Sequence, residues 1–180
     1  MDTKTPPFHQ DIMPGYLIKT LTFDDERDIQ SFLEECEEYN MMESGRLPQP
    51  EDARFFLTDI PPQKDLSDKY CLAVEKDARI VALIDLVKNY PTSGIWWIGL
   101  LLIHPDYQGI GLGTTIVNAI FSWFSKEGVQ KVRLGVLEEN EKGFRFWQKM
   151  GFQEIDRKFN RSFGIKTHTV IVMEYSGSKL

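Results

Sequence analysis

What this 180-residue chain has little of narrows its function before any motif is read. It carries two cysteines, Cys36 and Cys71, in neither a zinc nor a dithiol redox spacing. They are expected to be reduced, buried thiols, the compartment is expected to be the cytoplasm, and no metal is expected. No apolar run approaches the roughly 18 residues that a membrane span needs. The first fifteen residues, with Pro6, Pro7, Asp11 and Pro14, do not read as a secretory signal. Positive charge is in deficit: 27 Asp and Glu against 21 Lys and Arg leave a net charge of −6. That balance argues against general nucleic-acid binding, which needs a basic face toward phosphates. Neither nucleic acid nor membrane is therefore an expected partner. The hydrophobic fraction of 42% and the length suit one domain, residues 1–180, with one sizeable core.

The order of elements begins with residues 1–15, which read as a loose tail or a short edge segment. From Thr22, a candidate N-cap with Asp24, Asp25 and Glu26 behind it, Ile29, Phe32, Leu33 and Cys36 recur at helical spacing. Gly45 and Pro48 interrupt that helix. A second helix is expected from Glu51 to about Thr58, ended by Pro61-Pro62. Tyr70–Glu75 and Arg79–Val87 read as a hairpin around Lys76-Asp77-Ala78. After a turn at Pro91–Gly94, the run Trp96–Ile103 is apolar on both faces, as a strand covered on both sides would be. A helix over Thr114–Phe124 ends at Gly128, and Val132, Leu134 and Val136 alternate along a further strand. Glu141–Met150 reads as a helix capped by Gly151, and strands near 152–159 and 168–175 close the chain.

Between the apolar strand and its helix lies Gln108-Gly109-Ile110-Gly111-Leu112-Gly113. Strand, glycine-rich turn and helix aim unpaired amides and a helix N-terminus at one point, which favours an anion there. Glycines let the backbone approach oxygen atoms where a Cβ would obstruct. Two other glycine motifs lack their partners. A dinucleotide fold would need a glycine at the sixth position and an acid about 20 residues on, and a nucleoside-triphosphate loop would need Gly-Lys-Ser/Thr.

The hexamer resembles the Gln/Arg-x-x-Gly-x-Gly/Ala signature of the GNAT superfamily of N-acetyltransferases. Asn140, Gly143, Phe146, Trp147, Lys149 and Gly151-Phe152 fall where that family often has Asn-x-x-Ala-x-x-Phe-Tyr-x-Lys-x-Gly-Phe. The match covers about 96–152. The resemblance implies a single α/β GNAT-like domain with a mixed, mostly antiparallel sheet flanked by helices. It implies acetyl-CoA as donor and a small-molecule or peptide amine as acceptor. It further implies that the turn, from Gln108, Gly109, Ile110, Gly111, Leu112 and Gly113 to Thr114, binds the pyrophosphate. A bulge would splay the strand, the backbone of Leu101, Leu102 and Ile103 would lie along the pantetheine arm, and Asn140, Phe146 and Trp147 would reach the cofactor from the other side. Asn140 could equally cap the next helix, and Gly143 there is explained either by close approach of the cofactor or by tolerance near a helix start.

Trp147 departs from the pattern. The family commonly has tyrosine here, whose phenol can protonate the departing thiolate; an indole N–H cannot act as such an acid. Tyr107 or a water could substitute, or a thiolate, with a free-thiol pKa near 8.5, could leave unaided. The base is also open. An alkylamine is neutral only about once in 2,500 molecules at pH 7, yet Gly99–Ile103 offers no carboxylate. Asp85, an acid inside an apolar strand, is the candidate general base, against a structural reading as a hydrogen-bonding group. His104 before Pro105 has a suitable intrinsic pKa but reads as structural. The segment 24–43 holds nine carboxylates against Arg27, either a lure for cationic amines or a solvated helix face. The expected activity is acetyl transfer to a primary amine by direct attack in a ternary complex; the alternative is a non-catalytic acyl-CoA-binding sensor. An exposed final strand would permit a homodimer.

Overall fold

A computed structural model of the chain describes residues 11–177 and 180. Along the chain run β1 (Asp11–Met13), β2 (Tyr16–Thr20), α1 (Glu26–Glu35), α2 (Glu37–Glu43), α3 (Asp52–Thr58), β3 (Lys69–Lys76) and β4 (Arg79–Val87). Then follow β5 (Ile95–Ile103), α4 (Leu112–Lys126), β6 (Lys131–Leu137), α5 (Glu141–Lys149), β7 (Gln153–Phe163) and β8 (Lys166–Tyr175). The strands form one eight-stranded sheet in the order β1-β2-β3-β4-β5-β6-β8-β7. Every neighbouring pair is antiparallel except β5 and β6, which α4 connects. This is the mixed, mostly antiparallel α/β architecture that the sequence implied.

Both faces of the sheet are covered. On one, Ile116, Ile120, Phe121 and Phe124 of α4 pack with Trp96, Ile98, Leu134 and Met173 of the strands. On the other, Ile29, Phe32 and Leu33 of α1 and Ala53 and Leu57 of α3 pack with Cys71, Ala73 and Leu83. Of the apolar run of β5, Trp96, Ile98 and Leu102 are buried while Gly99 is exposed, so the two-sided cover that the sequence suggested is partial. Both cysteines are free and buried, and burial pushes each thiol up to about 12.

Three local features differ from expectation. Tyr16–Thr20, for which the sequence suggested no element, form a strand paired with β3; residues 11–13 form the edge strand β1, in keeping with the short edge segment suggested for 1–15, and residues 1–10 lie outside the described residues. Thr22 does form a capping box with Asp25, but ahead of a short 3-10 turn at 23–25. The first helix also breaks at Cys36, before Gly45 is reached. There the Asn40 amide donates to Leu33 O and Cys36 O, 2.9 Å each, as a second donor to carbonyls that also accept Cys36 N and Asn40 N.

The C-terminal hairpin is longer than expected, and the exposed edge is β7 rather than the final strand the sequence suggested, because β8 inserts between β6 and β7. Its tip reaches the end of α2. Lys166 Nζ donates to Met42 O at 3.1 Å, His168 Nε2 meets Glu43 O at 2.6 Å and Ile165 N donates to Ser44 O at 2.9 Å. Three carbonyls at a helix C-terminus thereby gain partners from a remote hairpin.

Candidate active site

The site begins with a fault in the sheet. Asp85 of β4 pairs with Leu100 and Leu86 with Ile98, so Gly99 faces no partner and bulges. On its other side β5 pairs with β6 only over Ile95–Ile98 and Lys131–Leu134. Beyond that the two parallel strands part, and a cleft of about 790 Å³ opens between the end of β5 and the segment Glu139–Lys149 that follows β6. The Asp85 carboxylate lies under the bulge: a Cβ on Gly99 would stand 2.3 Å from Asp85 Oδ2. Lys69 Nζ donates to Asp85 Oδ1 at 2.7 Å.

The glycine turn forms one end of the cleft. Gly109 and Gly111 have φ of +77° and +88°, the left-handed region that glycine adopts without strain. No atom lies within 4 Å of where a Cβ would stand on either, so the backbone is open to a ligand on that side. α4 starts at Leu112 with no side-chain cap and no acid in its first turn, leaving its first amides and its dipole uncompensated. Gly113 has a different task. A Cβ there would meet Ile103 at 3.1 Å and Phe146 at 3.2 Å, so the missing side chain lets α4 sit against β5 and α5. Gln108 bridges the turn to the strand, its Nε2 donating to Ile103 O at 2.9 Å, while Lys142 donates to its Oε1. Lys142 and Lys149, both lining the cleft, bring positive charge to an otherwise acidic molecule.

Asn140 caps α5, its Oδ1 accepting from Gly143 N at 2.9 Å. A Cβ on Gly143 would stand 2.7 Å from Asn140 Nδ2, so the cap itself accounts for the glycine without a ligand. The Trp147 ring packs edge-on against Phe146 at 4.9 Å and Phe152 at 5.1 Å and still contributes to the cleft wall.

Of the residues singled out from sequence, Leu101, Leu102, Ile103, Gln108, Gly109, Gly111, Gly113, Thr114, Asn140, Phe146 and Trp147 all line this one cleft. Ile110 points away at 52% exposure, and Leu112 is core at 1%. Asp85 is outside the lining; its side chain is 16% exposed and held by Lys69, and burial pushes its carboxyl up against that ion pair. His104 is structural: Nδ1 accepts from Asp106 N at 3.2 Å and Nε2 lies 3.0 Å from Glu35 Oε2. Tyr107 lines the cleft, edge-on to the His104 ring at 5.8 Å. Several carboxylates of the acidic segment are already engaged, Asp25 by Lys19, Glu26 by Arg54 and Glu35 by Arg79.

The opposite wall comes from α2 and the break before it, which contribute Cys36, Glu38, Tyr39 and Met42; sequence reasoning touched it only through the acidic segment 24–43 and missed Cys36, Tyr39 and Met42. Positions 36, 39 and 42 share one helical face, a periodicity visible in the sequence. Also missed were Pro105, Glu139, Glu141 and Lys142, while Lys149 falls within the resemblance without a role. Among the described residues no three His, Cys, Asp or Glu side chains gather as a metal site, and no helix is long and apolar enough to cross a membrane.

Residues 29–152 match the model of the acetyltransferase (GNAT) family. The chain belongs to that family. An uncharacterised N-acetyltransferase of Methanocaldococcus jannaschii is 33% identical over 54 residues, 30% of this chain and 24% of that protein. The ribosomal protein bS18-alanine N-acetyltransferase of Haemophilus influenzae is 35% identical over 60 residues, 33% of this chain and 40% of its own. The matched segments thus span under half of either relative. Among solved structures, a Thermus thermophilus acetyltransferase superposes with a TM-score of 0.69 at 21% identity, covering 91% of this chain and 98% of its own. The Microcin C7 self-immunity acetyltransferase, in complex with acetyl-CoA and AMP, gives 0.75 at 11% identity, covering 95% and 97%. These structural likenesses show the fold. GNAT acetyltransferases use acetyl-CoA, and the cleft has the chemistry for it: uncapped amides and two lysines for phosphates, and parted strands beside them.

Proposed function

We propose that this GNAT acetyltransferase moves the acetyl group of acetyl-CoA to a primary amine by direct attack while both substrates are bound. The parting of β5 from β6 beside the uncapped start of α4 carries this reading. The amides of Gly109 to Thr114 hold the pyrophosphate, with Lys142 and Lys149 as countercharges. The freed backbone of Leu101–Ile103 takes the pantetheine arm and orients the thioester, and Asn140, Phe146 and Trp147 close the far side. The amine nitrogen attacks the carbonyl carbon, the C–S bond breaks, and CoA leaves as a thiolate. Trp147 supplies no proton, and a thiolate is stable enough to leave without one. Orientation of the two substrates in one cleft supplies much of the rate. Asp85 as the base requires the nitrogen to reach beneath the bulge, to a carboxylate already bonded to Lys69; the pH profile of Asp85→Asn decides that assignment. The buried free thiols support a cytoplasmic location, and the exposed β7 edge a homodimer.

The test is turnover. Acetyl-CoA is mixed with spermidine, an alanine-initiated peptide or free lysine, probes suggested by relatives named for spermidine and for a ribosomal-protein alanine. CoA release that depends on one of these amines is the expected result. Tight acetyl-CoA binding with no release for any amine would instead make the protein a sensor.

A further inference from the structure

The carboxylates on the cofactor side of the cleft are already engaged. β5 is apolar from Gly99 to Ile103, Trp147 has no acid–base chemistry, Asp85 is bonded to Lys69 outside the lining, and of the lining carboxylates Glu139 pairs with His168 and Glu141 with Arg145. The opposite wall differs. There Tyr39 of α2 lines the cleft, and its Oη donates to Glu43 Oε1, one turn along the helix, at 3.0 Å. A phenol has a single hydrogen. With that hydrogen committed to Glu43, Oη has only lone pairs left to offer, which suits an N–H donor such as an amine and repels a carbonyl or an anion. Burial, with the Glu43 charge beside it, holds the phenol well above its ordinary range, so Tyr39 stays protonated and works as a conduit. Burial likewise pushes the Glu43 carboxyl up, toward the range where a carboxylate is an effective base. The groups facing that carboxyl are Tyr39 on its own helix, His168 from β8, Asp52 from α3 and Arg46 from the following loop. His168 also fixes the Glu43 carbonyl, so the helix end that carries the pair is held by a remote element.

We propose that Tyr39 and Glu43 form the proton relay for the acceptor amine, an inference that rests on the transfer reading above. The amine, having shed its first proton to solvent, attacks the carbonyl carbon. As the C–S bond breaks, the N–H proton passes to Tyr39 Oη and the phenolic proton passes to Glu43. The N–H electron pair stays on nitrogen, Glu43 ends neutral, and CoA carries away the negative charge. Tyr39 touches the acceptor and is catalytic; Glu43 acts through it and is a positioning residue. The same geometry selects acceptors that present an N–H to Tyr39.

The test compares Tyr39→Phe, Glu43→Gln and the double variant in kcat/KM against pH, with spermidine, the alanine-initiated peptide and lysine as probes. Acetyl-CoA affinity and thermal unfolding are followed alongside. Each single variant should lose roughly 100-fold in amine-dependent turnover, with acetyl-CoA affinity unchanged. The double variant should be no worse than either single one, because the two side chains act as a unit. Glu43 must be ionised to receive the proton, so wild-type activity should fall as pH drops through its raised pKa, and that acid limb should vanish in Glu43→Gln. Turnover in Tyr39→Phe within twofold of wild type, or multiplicative losses in the double variant, would overturn the relay while leaving acetyl transfer intact. A wild-type protein that binds acetyl-CoA but releases CoA with no probe would overturn both, and one that fails to bind it would already remove the reading beneath them.

Discussion

The Asp85 carboxylate fills the space that a side chain on Gly99 would need, with Oδ2 only 2.3 Å from the position of that missing Cβ. The acid on β4 and the gap on β5 are therefore one feature. Together they maintain the bulge at the point where β5 leaves β6. Gly99→Ala must push the carboxylate off Lys69 or flatten the bulge. A loss of about 1–3 kcal/mol is expected from such overpacking. In a domain of this size each kcal/mol lowers Tm by roughly 2–4 °C, which calorimetry reads directly. An unchanged Tm would show that the bulge does not depend on the pair.

Lys69→Met leaves Asp85 buried without a cation. Removing one partner of a buried pair costs about 3–5 kcal/mol, and both side chains here are well covered, at 3% and 16% exposure. The sign with pH follows from the carboxyl. Burial raises it above its unfolded value, so the folded protein binds more protons in that window and stability falls as pH rises through the folded pKa. Loss of Lys69 raises the carboxyl further. The deficit of the variant should therefore be largest at neutral pH and shrink on acidification, as denaturant titrations at several pH values would show.

Strain and ligand contact can be separated along α4. Gly111 at its start and Gly128 just past its end both sit in the left-handed region, at +88° and +68°, with no atom near either missing Cβ. Valine at either place should cost at least about 1–2 kcal/mol of backbone strain. Only Gly111→Val should also weaken acetyl-CoA, by tenfold or more, equivalent to about 1.4 kcal/mol. Isothermal titration of the two variants makes the comparison, and equal affinities would remove the turn from the phosphate site.

The thiols make a simpler prediction. With Cys36 and Cys71 both pushed up to about 12, roughly one thiol in 10,000 is ionised at pH 8. Neither should react with a disulfide reagent in the native state, although Cys36 borders the cleft, and both should react in denaturant. Fast native labelling of one equivalent would contradict the burial.

The segment from β5 to α5 was legible because its signals are local. The apolar run, the left-handed glycines and the Asn140 cap each arise from neighbours within a few residues. β2 was not legible, since Tyr16–Thr20 becomes a strand by pairing with Lys76–Leu72 more than 50 residues on. The break at Cys36 interrupts a helical spacing that by itself would run on. Tyr39 and Met42 join the cleft because the β7–β8 hairpin grips the end of α2 from over 120 residues away. Asp85 was noticed as an acid in an apolar strand, but its partner Lys69 opens the adjacent strand, and their meeting is a matter of register.

Strand polarity, rather than any side chain, chooses where the cleft opens. Among the described strands, β5 and β6 form the one pair that runs in the same direction. A same-direction step cannot be closed by a hairpin, so the chain must leave the sheet, cross its face as α4 and return. The crossover starts at the carboxyl end of β5, which brings a helix's positive pole to the place where the two strands are free to separate. The address of the binding site is therefore written into the connectivity. A chain that shares only 11% of its residues with this one keeps the same fold.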